Sequence, residues 1–259
     1  MPTFLFGEII FGPVNSRRLG CSLGINLLPV DRKLCSFDCL YCECGLNPDV
    51  GAPKAELPTV DEITKYLELK LQEMSGSGRL PDVLTFAGNG EPTLHPDFPE
   101  IIDSTCVLRD KYCPSAKIAV LSNGSRIGSP RVFNALLKVD DNILKLDAGS
   151  ENTIKLLDRP SGKFNLQSYV ENLKRFDGKV IIQSLFIKGH YNGELIDNSS
   201  DHEVAEWLKL IKYIAPGEVM VYSIARDTPV DTLQKVEGKR LKEIASLVEK
   251  EGIKVQLTE

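Results

Sequence analysis

Apolar runs of four to seven residues alternate along the chain with longer stretches in which apolar side chains recur every three or four positions. Short runs rich in β-branched residues and bounded by turn residues predict buried strands, and the longer amphipathic stretches predict helices. The strand candidates are Leu23–Leu28, Val83–Ala87, Ile118–Leu121, Ile143–Leu146, Val180–Phe186 and Val219–Ile224, with a short final strand at 253–257. Thr59 and Glu62 form a capping box ahead of a helix whose apolar face carries Val60, Ile63, Leu67 and Leu71, and the Ser-Gly-Ser-Gly stretch around Gly76 ends it. A second helix runs near Phe98–Leu108. Ser129-Pro130 opens a short one, with Pro at the first helical position, where its missing N–H costs nothing. A helical region leads up to Phe176, and Ser200 with Glu203 makes another capping box before Val204, Trp207, Leu208 and Ile211. Pro216-Gly217 stops that helix, and the last long helix covers 239–250.

Strands alternating with helices in this way predict an α/β fold with a parallel sheet. Six such units predict a partial (β/α)6 TIM-like barrel, its sheet open on one side and its functional site at the carboxyl ends of the strands. At 259 residues the chain can bury a full core, and no break in composition divides it. A single domain over 1–259 is therefore expected, with an N-terminal extension at 1–22, a barrel core at 23–230 and a C-terminal helix and strand at 231–259.

Hydrophobic content of 42% and charged content of 26% suit a soluble globular protein. No apolar run approaches the length that spans a bilayer. The opening Met-Pro-Thr-Phe-Leu-Phe-Gly-Glu lacks the basic start and long apolar centre of a signal peptide. A reducing cytoplasm and no membrane partner are expected. The net charge of −5 gives no general attraction for nucleic acid, which is not favoured as a partner. Seven cysteines, an odd number, argue against a disulfide framework.

Four of the seven cysteines lie in one ten-residue stretch, Cys35-Ser36-Phe37-Asp38-Cys39-Leu40-Tyr41-Cys42-Glu43-Cys44. The first three form CxxxCxxC. Cysteine thiolates normally hold all four irons of a cubane cluster, so three thiolates at this spacing would leave one iron open. Two other readings use the same residues. Free cysteines are often small buried hydrophobes, but Asp38 and Glu43 interrupt the run. A structural zinc on Cys35, Cys39, Cys42 and Cys44 would have suitable ligands, although zinc sites usually combine two separated pairs. Zinc binding without catalysis remains the alternative outside enzyme chemistry.

The CxxxCxxC spacing, with the aromatic Tyr41 directly before the third cysteine, resembles the radical SAM superfamily. The resemblance implies that Cys35, Cys39 and Cys42 hold a [4Fe-4S] cluster whose open iron chelates the amino and carboxylate groups of S-adenosyl-L-methionine (SAM). An electron from an external donor, flavodoxin- or ferredoxin-like, would cleave SAM to a 5′-deoxyadenosyl radical, which abstracts hydrogen from a substrate. The implied protein is an iron–sulfur oxidoreductase or lyase-type enzyme whose cofactor carries the hard chemistry.

The residues after each strand are polar and rich in glycine. Ala87-Gly88-Asn89-Gly90-Glu91-Pro92-Thr93 resembles the family's Gly-Gly-Glu element, which contacts the SAM amino group, although Asn89 separates the glycines and only Gly90-Glu91 match strictly. Glycine permits positive φ and close backbone approach, so Gly88, Gly90 and Glu91 are candidate SAM contacts; read alone, the segment is an ordinary turn. A bulky residue at Gly90 is expected to weaken SAM binding and to leave iron in place. Ser122-Asn123-Gly124 resembles the family's Thr-Asn-Gly ending, near the methionine carboxylate and ribose, and is otherwise a strand-to-helix turn. Asp147 is a candidate acceptor for ribose hydroxyls or a helix cap. Gln183 and Ser184 interrupt an apolar strand and need a partner, for which SAM or a buried water would serve. Tyr41 offers its backbone and ring to the adenine, or packs the loop.

Phe11–Gly20, the Gly-Asn-Gly-Glu-Pro-Thr element, Asp158-Arg159-Pro160 and Ala225–Pro229 together resemble, over most of the chain, the wyosine-synthase-like iron–sulfur oxidoreductase branch. Arg17, Arg18, Arg159 and Arg226 are candidate clamps for an anionic substrate, because a guanidinium grips carboxylate and phosphate bidentately; surface ion pairing is the competing reading. Wyosine synthases carry a second cluster on upstream cysteines, whereas only Cys21 precedes Cys35 here. A small or peptidic anion is therefore the expected substrate and tRNA the alternative. Cys106 and Cys113, between a helix and the third strand, are expected on the face away from the chemistry.

Overall fold

The computed structural model describes residues 4–16, 19–48 and 56–258. The chain forms two compact bodies, one from Leu5–Cys35 and Asn47–Asn142, the other from Met1–Phe4, Ser36–Leu46 and Ile143–Glu259.

In the first body, β1 (Ile10–Ser16) pairs antiparallel with β2 (Gly20–Ile25), and β3 (Val83–Phe86) and β4 (Lys117–Ser122) extend the sheet in parallel, with Leu23, Leu84 and Ile118 in register. All four β3 residues are buried, as expected for a parallel strand covered on both faces. The Thr59 box is complete. Its hydroxyl accepts from Glu62 N at 3.2 Å, and Glu62 Oε2 accepts from Thr59 N at 2.8 Å. It starts α1 (Val60–Gly76), which buries Ile63, Leu67, Leu71 and Met74. The helices α2 (Phe98–Tyr112) and α3 (Pro130–Leu136) follow β3 and β4. Phe98 meets Phe86 edge-on at 6.3 Å and fixes α2 against β3.

The second body takes up the chain at Ile143, within β5 (Asp141–Lys145), which leads to α4 (Glu151–Leu157), α5 (Leu166–Lys174) and β6 (Ile181–Leu185). A hairpin of β7 (Ile187–Tyr191) and β8 (Glu194–Asp197) comes next, then α6 (Asp201–Ile214), β9 (Glu218–Tyr222), β10 (Gln234–Lys235), α7 (Gly238–Lys250) and β11 (Lys254–Thr258). The strands β5, β6, β9 and β11 are parallel in that order, and β10 joins the hairpin in a small antiparallel sheet. Trp207 of α6 meets Phe186 edge-on at 5.2 Å, both side chains fully buried.

Several expectations shift. The strand expected at Leu23–Leu28 stops at Ile25, because the Asn26 side chain takes over the backbone: its Nδ2 donates to Leu28 O at 3.0 Å and its Oδ1 accepts from Leu28 N at 3.2 Å. The N-terminal extension contributes the strand β1, with a bulge between Phe11 and Val14. The helical region before Phe176 divides into α4 and α5 around Asp158-Arg159-Pro160. Ser200 caps α6 through Glu203 N, but the Glu203 carboxylate turns instead to Gly149 N, Ser150 Oγ and Thr153 Oγ1, tying α6 to the start of α4. The partner of Ser184 is the protein itself: its hydroxyl donates to Leu146 O at 2.5 Å and accepts from Trp207 Nε1 at 3.0 Å. Among the described residues no helix is long and apolar enough to cross a membrane.

Candidate active site

Cys35 belongs to the first body, and Cys39 and Cys42 to the second. In the first body the segment after β3 lies beside the chain that enters Cys35. Leu34 N donates to Asn89 O at 2.8 Å and Glu91 N to Leu34 O at 3.1 Å. Gly90 sits at φ +138°, and a Cβ there would stand 1.9 Å from Leu34 O. Gly88, at φ +147°, would place a Cβ 2.4 Å from Asn26 Oδ1. Both glycines thus answer to protein neighbours. Asn89, which departs from the Gly-Gly pattern, is fully buried; its amide bonds Phe6 N, Phe6 O and Pro29 O. The side chain fastens the N-terminal segment.

Glu91 is 1% exposed. Its Oε1 accepts from Thr93 N at 3.0 Å, from the Thr93 hydroxyl at 2.5 Å and from the Ser122 hydroxyl at 2.7 Å, while Oε2 accepts from Asn123 N at 2.6 Å. Burial raises the Glu91 carboxyl above its ordinary value against the pull of these donors. Oε2, with a single bond from these partners, retains acceptor capacity for an ammonium. Ser122 also accepts from Gly124 N at 2.9 Å, and Asn123 Nδ2 donates to Cys35 Sγ at 3.5 Å. Glu91, Ser122, Asn123 and Cys35 therefore form one hydrogen-bonded unit joining the ends of β3 and β4. Asn47 Nδ2 holds the Cys35 carbonyl at 3.2 Å.

In the second body the cysteine loop rests on the end of α4. Asp38 N donates to Asp158 O and Leu40 N to Leu157 O, each at 3.0 Å, and Ser161 N donates to Ser36 O at 2.8 Å. Asp158-Arg159-Pro160 is the backbone support for this loop. Successive turns follow, Cys42 N to Cys39 O at 3.1 Å and Gly45 N to Cys42 O at 2.9 Å. Cys39 is buried; Cys42 and Cys44 are half-buried.

A buried ionic group lies beside that loop. Lys145, 16% exposed at the carboxyl end of β5, places Nζ 2.7 Å from Asp147 Oδ2 and 3.7 Å from Asp158 Oδ1. The Tyr41 hydroxyl bonds Asp147 and Lys145 and lies 3.2 Å from Asp158 Oδ1; the ammonium stands 4.6 Å from the ring centroid. Asp147 Oδ1 accepts from Leu185 N at 2.8 Å. Burial, with the two carboxylates, raises the Tyr41 hydroxyl well above its usual value. Burial lowers Lys145, but Asp147 and Asp158 outweigh it, and the amine is held as an ammonium. Burial pushes Asp158 up to about 7 against the opposing Lys145 charge. Asp147 and Tyr41 are thus joined to each other and to Lys145 within the protein. Lys145 is not singled out by the sequence reading, although its spacing from Asp147 puts the two on one face of an otherwise apolar strand end. Gln183, half-buried, is the register neighbour of Lys145 on β6.

Of the candidate clamps, Arg159 lies 3.4 Å from the Asp38 carboxylate and 3.3 Å from the Tyr191 hydroxyl, and exposed Arg226 pairs with Glu43. Arg17 and Arg18 lie outside the described residues. Cys21 sits at the amino end of β2, its N donating to Asp82 Oδ2 at 2.8 Å. Cys113 caps α2 ahead of β4, and Cys106 lies within α2.

None of the seven cysteines is in a disulfide. Among the described residues no three His, Cys, Asp or Glu side chains are gathered around a common point, and ligand sets of this kind close as metal binds. The donor chemistry fits an iron–sulfur cluster, being soft thiolate sulfur with an amide donor already on Cys35. The Gly90-Glu91 turn, with spare capacity on Oε2, fits the ammonium of SAM.

Parallel strands flanked by helices, with the cysteine motif and the Glu91 unit at strand ends, define a radical SAM architecture. The family model for the Radical SAM superfamily matches residues 33–211, and the chain belongs to that superfamily. Its cofactors are a [4Fe-4S] cluster and SAM; superfamily members are enzymes and generally need an external reductant. The UPF0026 protein of Helicobacter pylori is 34% identical over 185 residues, 70% of this chain and 57% of that protein. A Brachyspira hyodysenteriae protein named GTPase Obg is 31% identical over 223 residues, 85% of this chain and 30% of its own length. The chain thus spans only part of these relatives. Among solved structures, a radical SAM methyltransferase from Sphaerobacter thermophilus aligns with a TM-score of 0.66 at 15% identity, over 92% of this chain and 65% of its own. TYW1 with a lysine-pyruvate adduct bound aligns at 0.60 and 12%, over 88% and 73%. Streptococcus suis SuiB bound to the precursor peptide SuiA aligns at 0.63 and 15%, over 91% and 48%. These likenesses bear out the α/β partial-barrel fold.

Proposed function

We propose that this chain is a radical SAM iron–sulfur oxidoreductase in which Cys35, Cys39 and Cys42 hold the cluster and a small or peptidic anion is the substrate. The observation that carries the reading is the Glu91 carboxylate, which binds the turn after β3 to Asn123 and, through it, to Cys35. When bound, the cluster and SAM supply an electron and a 5′-deoxyadenosyl radical for hydrogen abstraction. Glu91 Oε2 receives the SAM ammonium, Gly88 and Gly90 let the turn that presents it pack against Asn26 and Leu34, and Ser122 and Asn123 orient the methionine end. Asp147 and Gln183 face the ribose, and Tyr41 packs by the adenine. A flavodoxin- or ferredoxin-like protein supplies the electron.

Arg159 and Arg226 hold the substrate anion by exchanging their present carboxylate partners, Asp38 and Glu43, for it, with Arg17 and Arg18 as further candidate clamps. The buried lysine at the end of β5 favours this over carbonyl chemistry. An amine must be unprotonated to attack a carbonyl, and Lys145 is held charged between two carboxylates. The acidic net charge likewise favours a small or peptidic anion over tRNA. Anaerobic reconstitution followed by incubation with SAM and dithionite tests the chemistry, with 5′-deoxyadenosine as the expected product. Protein that holds its iron and releases none would overturn it.

A further inference from the structure

We infer that Asn123 sets the reduction potential of the cluster by donating an amide N–H to the Cys35 sulfur. The inference rests on the reading of Cys35 as a cluster ligand and assigns Asn123 a task beyond SAM. The donor is 3.5 Å from Sγ. Its orientation is set by its neighbours: Asn123 Oδ1 accepts from Ser125 N at 2.9 Å, which turns Nδ2 toward the sulfur. The backbone is fixed by the 2.6 Å bond from Asn123 N to the buried Glu91 carboxylate, and the residue is only 6% exposed. The acceptor side is held too, by the bond from Asn47 Nδ2 to the Cys35 carbonyl. Neither end can turn away without breaking a bond.

Adding one electron to a cluster adds one negative charge, shared by the thiolate sulfurs. A hydrogen bond to such a sulfur stabilises the reduced form more than the oxidised form and raises the potential. The donor is buried although Cys35 itself is half-buried, and water is therefore kept from the amide side of the bond. Asn123 is therefore a positioning and tuning residue for electron entry.

The test is an EPR-monitored redox titration of the reconstituted full chain without SAM, on wild type, Asn123→Ala and Asn123→Asp, with iron and sulfide counted on each. Asp keeps an oxygen for Ser125 N and replaces the donor with an acceptor; Ala removes the donor. Both variants should retain their iron, and their midpoints should fall by about tenfold in the reduction equilibrium, ~59 mV for one electron, with Asp the lower. A lowered midpoint in whichever variant keeps its iron supports the inference. An unchanged or raised midpoint in variants with full iron overturns it, and so does loss of iron from both, which would make Asn123 structural. Wild-type protein that binds no four-iron cluster overturns the ligand reading instead.

Discussion

Gly90 abuts the carbonyl oxygen of Leu34 so closely that a Cβ on it would stand 1.9 Å away. Leu34 is the residue before Cys35, so this glycine shapes the entry to the cysteine motif. The family resemblance implies that a bulky residue at Gly90 weakens SAM binding and spares the iron; the geometry changes that. Gly90→Val forces a β-branched side chain into φ +138° and against backbone. It should destabilise the metal-free protein by ~1–3 kcal/mol and lower its iron content together with its SAM affinity. Denaturant melts and iron counts check this, and normal iron with weakened SAM would restore the simpler reading.

Iron retention should separate the cysteines by place in the fold. Cys35→Ala, Cys39→Ala and Cys42→Ala should each lose the four-iron cluster. Cys106→Ala and Cys113→Ala, altering thiols on and just after α2, should keep it. Iron and sulfide analysis of the five variants decides, and full iron in Cys39→Ala would remove the assignment.

Lys145 neutralises two carboxylates that are each 1% exposed. Replacing it with Met leaves them buried without their cation, which typically costs about 3–5 kcal/mol. Adding Asp147→Asn should recover part of that loss, since an amide oxygen still accepts from Leu185 N. Urea melts of the two single variants and the double variant give the coupling. Strictly additive losses would mean that the ion pair contributes nothing.

The fold is legible in the sequence where pattern and local chemistry agree. The β3 run, one residue shorter than read, and the Thr59 box are legible because a near-continuous apolar run signals a strand covered on both faces and because capping is local to its own turn. The end of β2 is not legible, since it depends on the Asn26 side chain outcompeting the ladder. The β7–β8 hairpin escapes a reading keyed to helix and strand alternation, although Asn192-Gly193, at φ 51° and 83°, is a strong hairpin signal. In the site, spacing exposes the cysteines, and resemblance exposes Gly90, Glu91 and Asn123. The pairing of Lys145 with Asp158 is hidden because only folding brings α4 beside the end of β5.

Asp158 should make the metal-free protein's stability fall with rising pH. Its carboxyl is raised by burial from an ordinary 3.8 to about 7. Between those values the folded state holds a proton that the unfolded state has released. The contribution is therefore fully present below about 3.8 and lost as pH rises through about 7. Each pH unit of that window is worth at most ~1.4 kcal/mol. Asp158→Asn has no proton to lose, so its stability should decline less than that of the wild type between about pH 5 and pH 7. Denaturant melts of both proteins across the range give the difference curve. A flat difference would mean that Asp158 stays ionised beside Lys145 throughout, and a difference of the opposite sign would mean that the ammonium depresses the carboxyl more than burial raises it.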